Sequence, residues 1–467
     1  MSESTRADDS AADRPTRYAP EHPVRVVTAT SLFDGHDAAI HIMRRVLQAT
    51  GCEVIHLGHN RSVRDIVDAA IQEDAQGIAI SSYQGGHMEF FRYMRDLLVE
   101  RGAGHIRIFG GGGGTILPEE KRELEAYGIA RIYHPEDGRR MGLQGMIDDI
   151  VAQCDWSPAA ADLPTALVDA TGLDHDDWGT LARAMTLTEA VTAGVAVADG
   201  WQATFERLRA VAATSHAPVV GFTGTGGAGK SSLVDELVRR YGEDFPERRV
   251  AVLSVDPTRR RTGGALLGDR IRMNSLSCGR VFMRSLATRG SGNEISAALG
   301  DAIGLCRAAG FDLIIAETSG IGQASAAIVE LVDVAVYVMT PEYGAQTQLE
   351  KIEMFDYAQL VVVNKYDKAG AQDALRDVRK AFQRAHTRFD EPVDAMPVHG
   401  AIASQFNDRG VHTVYVALLG LLAARGDHPA AGRYTADLVT GLPDRAVLIP
   451  PRRAGYLAEV AQTVRGA

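Results

Sequence analysis

Apolar positions along the chain follow two rhythms, and their alternation predicts the fold class. Short runs rich in Val and Ile read as strands: Val24–Val27, Glu53–Leu57, Gly77–Ile80, Ile106–Phe109 and Ile129–Ile132. Between them, Ile40, Met43, Val46 and Leu47 mark one helical face, and Val63, Ile66, Val67, Ala70 and Ile71 mark another. Strands that alternate with helices predict an α/β class, here a doubly wound parallel sheet of flavodoxin-like type whose last helix ends near Cys154. A second alternation starts at Val219 and takes in Val250–Leu253, Leu313–Ala316, Val334–Val338 and Leu360–Val363, which predicts a second doubly wound sheet. An Ala/Pro/Asp-rich stretch from about Asp155 leads into helical patterns at Met185–Val197 and Trp201–Val211, a helical connector.

The predicted organisation is a disordered leader over 1–23, a first sheet domain over 24–154, the connector over 155–217, a second sheet domain over 218–425 and a linker over 426–467. The linker is punctuated by Pro and Gly and closes on a helical pattern, Tyr456–Ala461, as though more chain followed. A length of 467 residues suits several domains, because single cores stop growing near roughly 250–300 residues. With 49 Lys and Arg against 60 Asp and Glu, the net charge of −11 argues against a nonspecific nucleic-acid or anionic-membrane surface. No apolar run reaches the roughly 18–20 residues of a membrane span, and the leader lacks an apolar signal segment. Four scattered cysteines without paired spacing fit a reducing compartment, so a cytoplasmic protein is expected, with no nucleic acid and no membrane among its partners.

The segment Gly224-Thr225-Gly226-Gly227-Ala228-Gly229-Lys230-Ser231 fits the G-x-x-x-x-G-K-[ST] phosphate loop between a strand-like run and a helical one. Its glycines, with Ala228 and Ser232, offer backbone amides to an anion at a helix start, Lys230 reaches the outer phosphates, and the Ser231 hydroxyl suits magnesium. Asn364-Lys365-Tyr366-Asp367 follows the apolar run Leu360–Val363. A carboxylate at Asp367 accepts two hydrogen bonds from guanine, whereas adenine has neither donor, so the two motifs together predict GTP. Asp256 and Glu317 close strand-like runs where acidic groups suit magnesium, although Asp256 before Pro257 also fits a turn cap. Arg259–Arg261, Gly263, Gly264 and the stretch to Met273 suit a switch that orders on a triphosphate. Within it Arg272 or a residue of the Arg triplet could offset developing charge, and a solvated basic loop is the competing reading. Glu317–Gln323 reads as a second glycine-hinged switch, with the Gly320 or Gly322 amide facing the γ-phosphate.

This set resembles the metallochaperone GTPases that serve cobalamin-dependent acyl-CoA mutases. The resemblance covers about Met185–Leu422 and rests on the phosphate loop, Val255–Pro257, Gly263–Gly264 through Arg270, Glu317–Thr318 through Gln323, and Asn364–Asp367. It implies magnesium held by Ser231, Asp256, Asp269, Glu317 and Thr318. It also implies slow turnover of GTP to GDP, with Lys230, Asp256, Asp269, Glu317 and Arg272 as the hydrolytic set, used to gate cofactor loading.

In the first domain, Asp34-Gly35-His36-Asp37 follows the first strand, at the carboxyl edge where open α/β sheets bind ligands. Ser81-Ser82-Tyr83 and the run Gly110–Gly114 follow the third and fourth strands. Three small-residue loops on one edge leave a slot for a bulky planar group and its tail, with His36 presenting an imidazole nitrogen and Asp34 holding the other. The arrangement resembles the cobalamin-binding module of the mutases, with its D-x-H-x-x-G pattern. That resemblance makes His36 the lower axial cobalt ligand and Asp34 its partner. It places Ser81, Ser82, Tyr83, Gly110, Gly111 and Gly112 along the dimethylbenzimidazole tail. Ala39 stands at the pattern's last glycine, and Tyr83 replaces the leucine of S-x-L.

A cobalamin module followed by a chaperone GTPase is the order of the fused isobutyryl-CoA mutases, and the chain resembles their N-terminal half. The resemblance implies adenosylcobalamin, GTP or GDP and Mg2+ as ligands. It also implies an acyl-CoA-binding large subunit or C-terminal barrel as partner, in a homodimer or heterotetramer. No eightfold strand and helix series is present to supply that barrel. A stand-alone cobalamin-delivery GTPase and a cobalamin-dependent sensor GTPase are the alternatives.

Overall fold

Both rhythms of the sequence become alternating strands and helices. From its first strand the chain runs β1 (Arg25–Ser31), α1 (Ala38–Ala49), β2 (Glu53–Arg61), α2 (Val63–Gln72), β3 (Gly77–Ser81) and α3 (His87–Glu100). Next come β4 (Arg107–Gly111), α4 (Pro118–Tyr127), β5 (Arg131–Tyr133) and α5 (Pro135–Cys154), then α6 (Thr165–Val168), α7 (Trp178–Thr192) and α8 (Trp201–Ala212). These lead to β6 (Val219–Gly224), α9 (Lys230–Asp244), β7 (Val250–Asp256), β8 (Ala265–Leu267), β9 (Val281–Ala287), α10 (Leu299–Ala308) and β10 (Leu313–Glu317). Further on are β11 (Val334–Met339), β12 (Leu360–Asn364), α11 (Ala371–Ala385), β13 (Val398–Ala401) and α12 (Arg409–Ala423). The structure, a computed structural model, describes residues 18–168, 172–259, 261–289, 295–318, 326–343, 349, 352–426, 428, 432, 434 and 463–464.

Contacts divide the chain into two units, Met1–Val219 with Arg249–Ser319, and Val220–Arg248 with Gly320–Ala467. The first unit holds a parallel sheet in the order β5-β4-β3-β1-β2-β8. It also holds the parallel run β10-β7-β9. In the second unit β13, β12, β11 and β6 pair in that order, all parallel. The fold is two parallel-sheet α/β domains.

The helical faces read from the sequence become the core. In α2, Val63, Ile66, Val67, Ala70 and Ile71 are buried, and the Ser62 hydroxyl accepts from the Asp65 amide at 3.1 Å, which caps the first turn. They pack with Val27, Ile55, Ile78 and Ile108 of the sheet in one cluster. Each large apolar side chain so placed contributes about 1.5–3 kcal/mol. On the sheet's other face Leu47 of α1 and Ile147, Ile150 and Val151 of α5 cover Val26, Val54 and Phe109. In the second unit Val378, Ala381 and Phe382 of α11 pack on Tyr337 and Val361.

Three strands depart from the sequence reading. Between Gly264 and Gly268, where a mobile switch was expected, Ala265–Leu267 pairs in parallel with Glu53–Ile55 and extends the first sheet by one strand. Strand β9, Val281–Ala287, escaped detection because Arg284 and Ser285 interrupt its apolar run, yet every residue of it is buried. Strand β13 is only Val-His-Gly-Ala and carries too little pattern to read. The leader also needs correction over residues 18–23: the Tyr18 hydroxyl and the Glu21 amide donate to Asp155 Oδ2, both at 2.8 Å, and the His22 amide donates to Oδ1 at 2.9 Å. Tyr456–Ala461 lies outside the described residues.

Arg284 and Ser285 belong to a buried polar network in the first unit. Arg25 of β1 pairs with Glu53 of β2 at 2.7 Å, and its Nη1 donates to the Glu73 carbonyl at 3.2 Å. Glu73, at the end of α2, is fully buried and accepts from the Ser285 amide at 3.1 Å, the Ser285 hydroxyl at 2.9 Å and Arg270 at 3.4 Å. Arg284 donates to Glu189 of α7 at 2.7 Å, and Arg289 donates to Glu53 at 2.7 Å. Alongside, Arg183 grips both oxygens of Asp74 at 2.9 and 3.0 Å. Burial alone would raise the Glu53 pKa, but Arg289 and Arg25 outweigh it and hold the carboxyl well below the usual range. Asp74 and Glu189 are lowered in the same way, Asp74 by Arg183 and Glu189 by Arg289 and Arg25.

Two outcomes follow for stability. Glu73→Ala takes from Arg270 its buried carboxylate partner and from Ser285 the acceptor of its amide and hydroxyl, so urea unfolding should show a loss of about 3–5 kcal/mol, and a loss below about 1 kcal/mol would contradict the network's weight. The lowered carboxylates make the contribution of Glu53, Asp74 and Glu189 complete above the unfolded carboxylate value of about 4. That contribution is lost as pH falls from there through the folded values. Denaturation midpoints measured between about pH 5 and pH 3 should fall steeply, and less so in Glu53→Gln.

Candidate functional site

Strand β1 delivers the Asp34–His36 loop to the carboxyl edge of its sheet, and α1 starts just after it at Ala38. Asp34 is buried, and its Oδ1 accepts from the His36 amide at 2.9 Å and from the His36 ring Nδ1 at 2.8 Å. Its Oδ2 accepts from the Tyr83 amide, which draws in the loop after β3. Burial pushes the Asp34 pKa up, but the amide bonds from Tyr83 and His36 and the ring bond outweigh it, so the carboxyl lies below its ordinary value. The ring is thus held by a carboxylate on Nδ1, while the His36 side chain is 75% exposed. Tyr83 stands beside it, with ring centroids 5.4 Å apart.

A cavity of about 380 Å³ opens at the same edge, lined by Ile40 and Met43 of α1, Ser81, Phe109, the Gly110–Gly113 run and Met146 of α5, among others. Its walls are mostly apolar. Ser81 Oγ, one of its few polar atoms, is buried and has no hydrogen-bond partner among the described residues. Ser82 is buried, its hydroxyl accepts from Ser31 at 2.9 Å, and its amide donates to Gly111 at 2.8 Å. A Cβ at Gly112 would sit 1.9 Å from the Ser82 carbonyl oxygen, so this approach of the two loops requires glycine.

In the second unit the 224–231 loop leaves β6 and feeds α9 at Lys230. Gly229 caps the helix with φ +88°, and a Cβ there would meet Asn364 Nδ2 at 2.4 Å. Lys230 is buried, with Nζ donating to the carbonyls of Gly224 at 3.2 Å and Thr225 at 3.4 Å, so it lies across its own loop. Ser231 is buried in the first turn. Asn364 joins the two motifs: Nδ2 donates to the Ala228 carbonyl at 2.7 Å, and Oδ1 accepts from the Ala403 amide at 3.0 Å. Lys365 takes φ +57°, and Asp367 beyond it is exposed. The structure therefore brings the phosphate loop and the Asn364–Asp367 motif together within this unit.

In the first unit Asp256 and Glu317 end the adjoining parallel strands β7 and β10, with Glu317 opposite Ser254. Thr318 follows Glu317 and is buried. Asp269 opens the short 3-10 turn Asp269–Arg272, and Arg272 is exposed. Gly320, Gly322 and Gln323 lie outside the described residues.

Sequence reasoning missed two groups. Tyr133, His134 and Met146 line the cavity, but only the fold brings β5 and α5 to it. Their signal, an aromatic at a strand end, a histidine before a helix and a methionine within it, equals that of an ordinary core. Ala403 was missed because β13 was missed, and the loop after β13 supplies the amide that fixes Asn364.

Comparison with known proteins gives both halves a family. Residues 181–420, just over half the chain, match the family described as methylmalonyl Co-A mutase-associated GTPase MeaB, and residues 24–136 match the B12 binding domain. The chain is 56% identical over 453 residues to a fused isobutyryl-CoA mutase of Geobacillus kaustophilus, a match that covers 96% of this chain and 41% of that protein. It is 54% identical over 455 residues to the fused isobutyryl-CoA mutase of Cupriavidus metallidurans, covering 96% and 40%. A putative GTPase of Caulobacter vibrioides is 36% identical over 238 residues, covering 48% of this chain and 71% of that protein. The chain spans about two-fifths of the length of the curated mutases it matches. It belongs to the MeaB family of mutase-associated GTPases, joined here to a B12 binding domain as in the N-terminal half of the fused isobutyryl-CoA mutases.

Proposed function

We propose that this chain is the cofactor-holding and GTP-hydrolysing part of an adenosylcobalamin-dependent acyl-CoA mutase, with the acyl-CoA site in a barrel on another chain or a further segment. The carrying observation is His36, its Nδ1 fixed by Asp34 at 2.8 Å and its ring exposed beside an apolar cavity of about 380 Å³. The residues fit cobalamin: an imidazole nitrogen for cobalt, an apolar slot for the nucleotide tail, and a buried Ser81 hydroxyl in its wall without a partner among the described residues. When bound, the cofactor supplies the radical that starts carbon-skeleton rearrangement. Asp34 keeps the His36 ring in one tautomer and orientation, and the glycine loop leaves the slot open.

The second ligand is GTP with magnesium. Gly227 and Gly229 take positive φ so that backbone amides and the α9 start can face phosphates, and Lys230 has only to turn from its loop carbonyls toward them. Asp367 is exposed with no hydrogen-bond partner among the described residues, which suits the N1–H and 2-amino donors of guanine. Ser231, Asp256, Asp269, Glu317 and Thr318 remain the magnesium ligands proposed from sequence, and GTP turnover is proposed to gate cofactor loading and release.

Two measurements test this reading. The purified chain should bind adenosylcobalamin with a base-off, histidine-ligated absorption spectrum that is absent in His36→Ala, and an unchanged spectrum in that variant would defeat the cobalt assignment. Asp367→Asn should weaken GTP binding at least about 100-fold by calorimetry, because the amide nitrogen cannot accept from guanine. Equal affinity would remove the guanine assignment.

A further inference from the structure

The loop that carries Asp34 and His36 also holds a strained residue whose side chain contributes little to packing. Residues Ser31 to Asp34 form a tight turn, closed by the Asp34 amide, which donates to the Ser31 carbonyl at 3.2 Å. Its third residue, Phe33, takes φ +63°. A turn with positive φ at that position calls for glycine or asparagine, and a bulky side chain there is a steric outlier. Among the described residues Phe33 is the one aromatic with positive φ, and at 86% exposed it is also the most exposed large apolar side chain. Its neighbour Leu32 packs against the core of the first sheet, so the turn has an apolar anchor without Phe33.

The fold enforces this conformation. The Phe33 amide donates to Asn60 Oδ1 at 2.8 Å, and Asn60, near the end of β2, itself takes φ +56°. Just before the turn, the pairing of β1 with β2 slips twice, between Thr28 and Ala29 and between Ala29 and Ser31. Left-handed backbone at a bulky residue costs free energy and persists where the surrounding structure over-determines it, above all at ligand sites. Here the enforced position immediately precedes Asp34, whose Oδ1 holds the His36 ring at 2.8 Å. The three residues from Phe33 to His36 span at most about 10 Å, so the two side chains leave the chain close together. The cavity at the same sheet edge adds three more exposed apolar side chains, Ile42, Tyr83 and Leu143.

We propose that Phe33 is a contact residue for the underside of the corrin ring, its phenyl group held outward by the turn to meet the macrocycle beside His36. The proposal rests on the cobalamin reading of His36. A planar macrocycle centred on a metal above the imidazole extends sideways over the residues that flank that histidine, and the face it turns to them is apolar between its side-chain amides. A phenyl group meets such a face by dispersion and by leaving water. The side chain that strains the free chain therefore gains its burial only in the loaded one. Relieving the strain and removing the ring should then act with opposite signs on the stability of the free chain and on its affinity for the cofactor.

Titration of the full chain with adenosylcobalamin, followed by absorption, decides the matter for wild type, Phe33→Gly, Phe33→Asn and Phe33→Tyr. Glycine and asparagine both accept the turn, asparagine without glycine's added freedom, while tyrosine keeps the ring. All should reach the histidine-ligated spectrum at saturation. The dissociation constant should rise about 10-fold or more in Phe33→Gly and Phe33→Asn and stay within about 2-fold of wild type in Phe33→Tyr. Without cofactor, Phe33→Gly should unfold about 2–4 °C above wild type, because the turn is relieved. Wild-type affinity in Phe33→Asn, or cofactor-free Phe33→Gly unfolding below wild type, overturns the proposal and leaves the cobalamin reading standing on the wild-type spectrum. A wild-type chain that binds no cobalamin removes that reading and the proposal with it.

Discussion

Three carboxylates, Glu53, Glu73 and Glu189, are the acceptors around which the first unit is organised. Each comes from a different place, the start of β2, the end of α2 and the last turn of α7, and each is buried. Their partners Arg270, Arg284, Arg289 and Ser285 all come from the later segment that carries β7 to β10. The ion pairs leave that segment little choice of neighbour, because separating them would strand charges in a low-dielectric interior. Apolar packing acts in the same direction: Ala265 and Leu267 of β8 and Ala287 of β9 sit in the cluster formed by α2 and the first sheet.

This arrangement gives one body to residues that the sequence assigns to separate domains. The His36 loop enters α1 at Ala38, and at the far end of the same helix the Gln48 carbonyl accepts from the Thr262 hydroxyl at 3.3 Å. The Ala265 amide donates to the Cys52 carbonyl at 3.1 Å just beyond it. The glycine-flanked segment expected to respond to a triphosphate is therefore hydrogen-bonded to the helix that starts beside the proposed cobalt ligand. A fused cofactor module and GTPase have a physical reason to share a chain when one supplies an edge strand to the other's sheet.

Much of this was legible in the sequence, and the gaps have physical causes. The α/β alternation, the strand ends carrying Asp34, Ser81, Asp256 and Glu317, and the loop at 224–231 are local patterns, set by periodicity and turn chemistry within a few residues. Strand β9 was hidden because burial of Arg284 depends on Glu189, 95 residues away, and no local pattern announces such a partner. Strand β8 was hidden because its edge is supplied by β2. The cavity could be anticipated from its glycines, but Tyr133, His134 and Met146 reach it only through the sheet order. Separation in sequence, rather than weakness of the interaction, marks what was missed.

The central claim is that the β8 and β9 segment and the cobalamin module form one cooperative body held by buried ion pairs. Native-state hydrogen exchange measures this directly, amide by amide. The account predicts that the Ala265, Met283 and Ser285 amides open with the same free energy as those of β1 and β3, and with the same dependence on denaturant. If β8 and β9 exchange through a separate, lower-energy opening while β1 and β3 stay protected, the carboxylates do not bind the two parts into one body, and the account is wrong.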